Sequence, residues 1–190
     1  MYLFFDTETT GLPRNWKAPV NDTANWPRMV QLAWMLYQPD GTLVESNNHI
    51  IFPKGFTIPA DAVAVHGIST ERARAIGEDL AGILDLFEGL VKKAAVLVAH
   101  NIRFDEKIVG AEYIRAGRLD FLASKAKICT MDSGTDYCRI PGPYGYKWPK
   151  LSELHQKLFR TAFEEAHNAE ADIAATARCF WEMKRLGLVG

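Results

Sequence analysis

Phe4-Phe5-Asp6-Thr7-Glu8-Thr9-Thr10-Gly11 decides how this chain is read, because it sets two carboxylates, Asp6 and Glu8, at the exit of an otherwise apolar strand. Alternate residues of a strand point to the same face, so the two side chains converge. Like charges held that close repel and drive a pKa upward unless a cation offsets them, and a hard divalent metal with oxygen ligands does so most directly. Acidic residues at strand ends are also ordinary turn formers, so D-x-E alone leaves both readings open.

Working outward, the 190 residues are 48% apolar and 11% aromatic, which excludes a disordered chain and predicts a single domain over 1–190. The formal net charge of -1 offers no bulk attraction to a polyanion, so contact with nucleic acid has to come from a local patch or a bound metal. Cys129, Cys138 and Cys179 are odd in number and far apart, arguing against a disulfide framework or a zinc site and for buried thiols. The chain starts directly on a strand, and no apolar run approaches the ~20 residues of a membrane span. A cytoplasmic protein without membrane contact is the expectation.

Tyr2 to Phe5 reads as a buried strand, and Leu12 to Pro27, with three prolines, as an ordered loop beside the first carboxylates. Alternation from Met29 to Tyr37 predicts a second strand, and Pro39-Asp40-Gly41 turns it into a third, Thr42 to Phe52. Short helical turns follow at Asp61 to Val65 and Arg72 to Ile76. Leu80, Ile83, Leu84, Phe87, Leu90 and Val91 then repeat at helical spacing. Ala94 to Ala99 is a further strand, with Asn101 as N-cap of a helix to about Arg115. Lys127 to Thr130 predicts a strand, Met131 to Cys138 a helix and Ile140 to Pro149 a loop. Lys150 to Phe159 and about Asn168 to Arg185 close the chain as helices. This order predicts an α/β fold, a mixed sheet with helices on both faces, in which right-handed crossovers bring the ends of the first and fourth strands to one edge.

Two further stretches carry carboxylates. In His100-Asn101-Ile102-Arg103-Phe104-Asp105 the acid falls in the first turn of a helix, where the helix dipole alone would favour it. In His167-Asn168-Ala169-Glu170-Ala171-Asp172 the histidine and Asp172 are five apart, roughly 140° on an ideal helix, so His167 belongs at or before the helix start.

Taken together, D-x-E, H-N-x-x-F-D and H-x-A-x-x-D resemble the DEDDh family of 3′-to-5′ exonucleases, the group that includes the proofreading subunit of bacterial replicative DNA polymerase. The resemblance runs from Phe5 to Asp172 and takes in Val65-His66-Gly67-Ile68, Cys129-Thr130-Met131-Asp132 and Lys150-Leu151-Ser152-Glu153-Leu154. It implies a ribonuclease H-like fold with a five-stranded mixed sheet. It also implies two-metal phosphodiester hydrolysis, with Asp6, Glu8, Asp105 and Asp172 holding two Mg²⁺ or Mn²⁺ ions and His167 acting as general base. The implied substrates are single-stranded DNA or RNA 3′ ends, DNA ahead of RNA, cut to nucleoside 5′-monophosphates. Leu12, Val65, His66, Asn101 and Phe104 would surround the terminal nucleotide.

Other readings stay open beside these contacts: core packing for Val65 and Phe104, and a backbone-bonded loop histidine for His66. Tyr144, Tyr146 and Trp148, interleaved with Lys147 and Lys150, suit either stacking of single-stranded bases or a loop folded onto the core. The 12–27 loop is longer than in the compact proofreading subunits, and no polymerase-tethering tail is evident, so a free-standing exonuclease is expected, as a monomer or a homodimer. The rival classes are a catalytically silent nucleic-acid-binding module of the same fold and an exoribonuclease. The intact set of acids argues against the silent module. The absence of G-x-x-x-x-G-K-[ST] excludes a phosphate-loop nucleotidase.

Overall fold

A computed structural model of the chain describes residues 1–161 and 169–190. Its first strand, β1 (Tyr2–Thr9), continues past the apolar Tyr2 to Phe5 run and carries Asp6 and Glu8 within it. The continuation is explained by pairing: β2 (Met29–Tyr37) runs antiparallel to it through Asp6↔Ala33 and Glu8↔Gln31, so the backbone ladder outlasts the hydrophobic pattern. The register then shifts between Glu8 and Thr9, a bulge where the strand meets the loop.

A tight turn links β2 to β3 (Leu43–Ile50). Gly41 takes φ 91° there, and Gln38 N–H donates to the Thr42 carbonyl at 2.9 Å. Short helices α1 (Ala60–His66) and α2 (Thr70–Ile76) follow, then α3 (Leu80–Lys93), whose first turn is capped by Asp79. The remainder runs β4 (Val96–Ala99), α4 (Ile102–Arg115), β5 (Ala126–Cys129), α5 (Thr130–Cys138), α6 (Leu151–Phe159) and α7 (Ala169–Arg185). Two differences from the expected elements stand out. Thr130 opens α5 instead of ending β5, and the 140–149 segment holds a small hairpin, β6 (Pro141–Gly142) with β7 (Gly145–Tyr146). The start of the last helix at Asn168 lies outside the described residues.

Among the described residues the main sheet has five strands in the order β3-β2-β1-β4-β5, with β1, β4 and β5 parallel to one another. Tyr2 faces Val96 and Phe4 faces Val98, so β1 and β4 end at the same edge. Neighbouring phenylalanines of β1 show how both faces are covered. Phe4 meets Phe180 of α7 at 5.1 Å between ring centroids, whereas Phe5 meets Phe87 of α3 at 5.4 Å on the opposite face. Tyr113 of α4 donates its hydroxyl to the Leu84 carbonyl, joining α4 to α3. Cys129, Cys138 and Cys179 are buried thiols, as expected. Among the described residues no helix is long and apolar enough to cross a membrane.

Candidate active site

Asp6 and Glu8 lie on the α7 face of β1 because they share the alternation of Phe4, whose ring packs on Phe180. Asp172 comes from the first turn of α7. Ala169, Ile173 and Ala177 are buried beneath that helix, and these mostly small side chains let its backbone settle close to β1 and β2. Asp6, Glu8 and Asp172 can each offer one carboxylate oxygen, with the three atoms within 4.8 Å of one another. Oxygen ligands of Mg²⁺ sit about 2.1 Å from the ion, so opposite ligands are about 4.2 Å apart, and a small side-chain adjustment lets these three share one cation.

The electrostatics agree with a cation-seeking site. Burial, followed by the charges of Asp105, Glu8 and Asp172, holds the Asp6 carboxyl well above the usual carboxylate range. Burial together with Asp172 and Asp105 pushes Glu8 up to about 8. Without a divalent ion the cluster therefore retains protons at neutral pH, the alternative way of relieving charge repulsion.

Asp105 is buried in the first turn of α4 and approaches from the other side of β1. Its Oδ1 accepts from both the backbone N–H of Thr7 at 3.0 Å and the Thr7 hydroxyl at 2.7 Å. Thr7 can do this because it lies between Asp6 and Glu8 in sequence and points the opposite way. Burial raises Asp105 to about 7 against the lowering effect of the Thr7 bonds. The structure thus groups three of the four expected acids by ligand distance and sets the fourth beside them through Thr7. His167 lies outside the described residues.

The expected substrate contacts divide. Leu12 is 73% exposed and Val65 54% exposed, so neither is core, and both are open to a ligand. Phe104 is half-buried, with its ring 5.6 Å from that of exposed Trp16 in the first long loop. Asn101 occupies the N-cap position of α4 as expected, but in the left-handed region at φ 67°, and its side chain makes no capping hydrogen bond. Asparagine is among the residues that tolerate that conformation. His66 is buried, and both ring nitrogens are engaged by backbone. Nδ1 accepts from Ile68 N–H at 3.1 Å, which leaves the proton on Nε2 to donate to the Thr9 carbonyl at 3.3 Å. Burial lowers its pKa, in keeping with that neutral tautomer. His66, the last residue of α1, thus joins that helix to the end of β1 through backbone partners.

Several contributors carried no sequence signal. Thr7 was only a spacer in D-x-E. Glu112 of α4 is fully buried and accepts from Arg28 Nε at 2.8 Å and Met29 N–H at 3.0 Å, and pairs with Arg115 at 2.9 Å. Arg115 in turn donates to the carbonyls of Thr23 and Trp26, both at 2.6 Å, fastening the first long loop to α4. The i,i+3 pairing of Glu112 and Arg115 inside an otherwise apolar helix face is the one hint the sequence held.

The model of the exonuclease family (RNase_T) matches residues 3–180. Similar proteins include the 3′-5′ exonuclease DinG of Bacillus subtilis, 27% identical over 188 residues, which are 96% of this chain and 17% of that protein. A PolC-type DNA polymerase III of Streptococcus thermophilus is 32% identical over 177 residues, 93% of this chain and 11% of that protein. The chain thus spans less than a fifth of the length of these relatives. The fold is similar to that of Escherichia coli exonuclease I in complex with a dT13 oligonucleotide, with a TM-score of 0.75, 20% identity, and coverage of 98% of this chain and 42% of that one. For the zinc-bound form of the exonuclease I complex with single-stranded DNA the values are 0.73, 24%, 97% and 40%. The shared architecture is the ribonuclease H-like fold.

Proposed function

Because this chain belongs to the exonuclease family, we propose that it removes nucleotides from the 3′ end of single-stranded DNA by metal-dependent phosphodiester hydrolysis, releasing nucleoside 5′-monophosphates. The observation that carries the reading is the convergence of Asp6, Glu8 and Asp172 within 4.8 Å at the edge where β1 and β4 end. The DNA-bound state of the exonuclease I structures supports single-stranded DNA as the substrate class.

In this reading Asp6, Glu8 and Asp172, joined by Asp105, hold two Mg²⁺ or Mn²⁺ ions. Bound there, the ions would offset carboxylate and phosphate charge, acidify the attacking water and stabilise the departing 3′ oxygen. Thr7 keeps Asp105 from turning away, so that the four acids present one fixed set of oxygens. His167, two residues before α7 in sequence, takes a proton from water as that water attacks phosphorus. An imidazole suits the task because its ordinary pKa lies near ~6.5. The bond from phosphorus to the 3′ oxygen of the penultimate nucleotide breaks, and that oxygen acquires a proton from solvent. Leu12, Val65, Asn101 and Phe104 seat the terminal nucleotide, with the apolar side chains against its base.

The test is digestion of 5′-labelled single-stranded DNA and RNA of one sequence with Mg²⁺, alongside Asp6→Asn and His167→Ala variants and a chelated sample. A ladder shortening from the 3′ end of DNA, lost in all three controls, is the expected result. Intact oligonucleotides or internal cuts would overturn the reading, and faster degradation of RNA would reassign the substrate. A Mn²⁺ titration by calorimetry should return two ions per chain.

A further inference from the structure

The β6–β7 hairpin does not fold onto the core. Tyr144 at its tip is fully exposed, and Tyr146 and Trp148 are exposed by half or more. Its base is nevertheless held at several points. His100 Nε2 donates to the Pro149 carbonyl at 3.1 Å, Lys147 N–H donates to the Ile140 carbonyl at 2.9 Å, and Lys147 Nζ pairs with Glu153 at 2.6 Å. A braced turn that presents three aromatic rings to water, and buries none, has a surface built for a ligand.

The position of the hairpin suggests which ligand. The guanidinium of Arg103 lies 5.0 Å above the Trp148 ring and is steadied by Asp132 at 2.8 Å. Arg103 is two residues from Asp105 and adjacent to Phe104, whose ring neighbours Trp16. The first turn of α4 thus carries both links: Phe104 meets Trp16 of the first long loop, and Arg103 meets Trp148 beside the hairpin that bears Tyr146 and Tyr144. Cationic side chains at Arg103, Lys147 and Lys150 accompany them. Rings that offer π-faces, interleaved with cations, match a chain of bases linked by phosphates, because bases stack without regard to sequence while the cations answer the backbone charge.

We propose that the 140–149 hairpin, with Arg103, is a second base-stacking station that holds single-stranded DNA several nucleotides 5′ of the end being cut. The proposal rests on the exonuclease reading for the direction of the strand. It adds a reason why longer substrates would be held better than short ones: the terminal nucleotide is gripped at the acids, and the trailing bases are gripped by Trp148, Tyr146 and Tyr144.

The test compares dT3 and dT12 oligonucleotides carrying a 5′ fluorophore, measured by anisotropy on the full chain in chelator, with Trp148→Ala and the Tyr144→Ala/Tyr146→Ala double variant. The parent should bind dT12 at least about tenfold more tightly than dT3, since stacking contributes about 1–3 kcal/mol per base. Each variant should lose about fivefold or more on dT12 and nothing on dT3, with the single-turnover cleavage rate of dT3 in Mg²⁺ unchanged. Trp148→Phe should restore most of the dT12 affinity. Equal losses on both lengths, or unchanged dT12 binding, would overturn the proposal, the latter leaving the hairpin as a surface for a protein partner. The double variant removes only solvent-exposed rings, so it remains a fair test should Trp148→Ala disturb folding. If the parent cuts nothing yet the dT12 losses appear, the exonuclease reading fails and the station stands; a normal ladder with undiminished dT12 binding gives the reverse.

Discussion

Thr7 gives Asp105 two hydrogen bonds on one oxygen, from its N–H at 3.0 Å and its hydroxyl at 2.7 Å, across 98 residues of sequence. That link is what ties α4 to the edge of β1 where Asp6 and Glu8 stand. Thr7→Val keeps the branched shape and deletes only the hydroxyl. It should lower stability by about 1 kcal/mol, the net worth of one lost hydrogen bond while the backbone N–H bond remains, and raise the Mg²⁺ concentration needed for half-maximal activity about tenfold. Thr7→Ser should recover both. Urea unfolding and a metal titration of the rate are the measurements; an unchanged metal requirement in Thr7→Val would show that Asp105 needs no such support.

Neutralising the cluster should separate stability from activity. Asp6→Asn and Asp172→Asn each remove an acid that the metal-free cluster must either charge against its neighbours or keep protonated, so the metal-free fold should melt higher than the parent at pH 8. Hydrolysis should fall by about 10²–10³-fold or more, because a fixed charge at the reacting phosphate is lost. Scanning calorimetry in chelator paired with a rate assay would reveal the opposition; variants that melt lower without metal would count against charge repulsion as the governing effect.

The same cluster sets a pH dependence. Glu8 ordinarily releases its proton near 4.5 but holds it in the fold to about 8, Asp105 holds its own to about 7, and Asp6 is raised as well. Because the folded protein binds these protons more tightly than the unfolded chain, their stabilisation is complete below the unfolded pKa values and is lost as pH climbs from about 4.5 to about 8. In chelator, unfolding free energy should therefore fall steadily from pH 5 to pH 8. Glu8→Gln should flatten the curve, and saturating Mg²⁺ should offset the loss at the alkaline end. A level profile in chelator would contradict the raised values.

Glu112 is fully buried between Arg28 and Arg115, and its removal leaves cationic groups without their counter-charge. Glu112→Gln should cost about 3–5 kcal/mol, and Arg115→Met should release the loop at 10–28 by deleting the bonds to Thr23 and Trp26. Amide exchange in that loop should quicken in Arg115→Met while the β2 core stays protected. Protection unchanged in the loop would mean that the Asn15–Asn25 contacts, at 2.7 and 3.0 Å, suffice to hold it.

Much of this was legible along the chain. Alternation in Met29–Tyr37 and helical spacing in Leu80–Lys93 reflect one-sided burial, which repeats locally and so can be read locally. The strand ends at Asp6 and Glu8 were read too early, since hydrophobicity stops at Phe5 while hydrogen bonding to β2 continues. Asn101 was rightly placed at the start of α4, yet its side chain does not cap, because a left-handed backbone rather than an asparagine oxygen turns the chain there. The backbone partners of His66, Thr9 and Ile68, could be named only from the fold, since Thr9 is 57 residues away in sequence.

By itself the sequence determined the order and kind of the helices and main-sheet strands, the acidic residues at their ends and the kinship those acids imply, all of which depend on spacings of a few residues. Only the tertiary structure decided that Asp172 closes on Asp6 and Glu8, that Asp105 hangs from Thr7, that Arg115 pins the first long loop, and that Arg103 lies over Trp148. The physical reason is distance along the chain: these contacts join residues tens to more than a hundred positions apart, and a side chain carries no mark of its partner until packing of the sheet and helices has brought the two together.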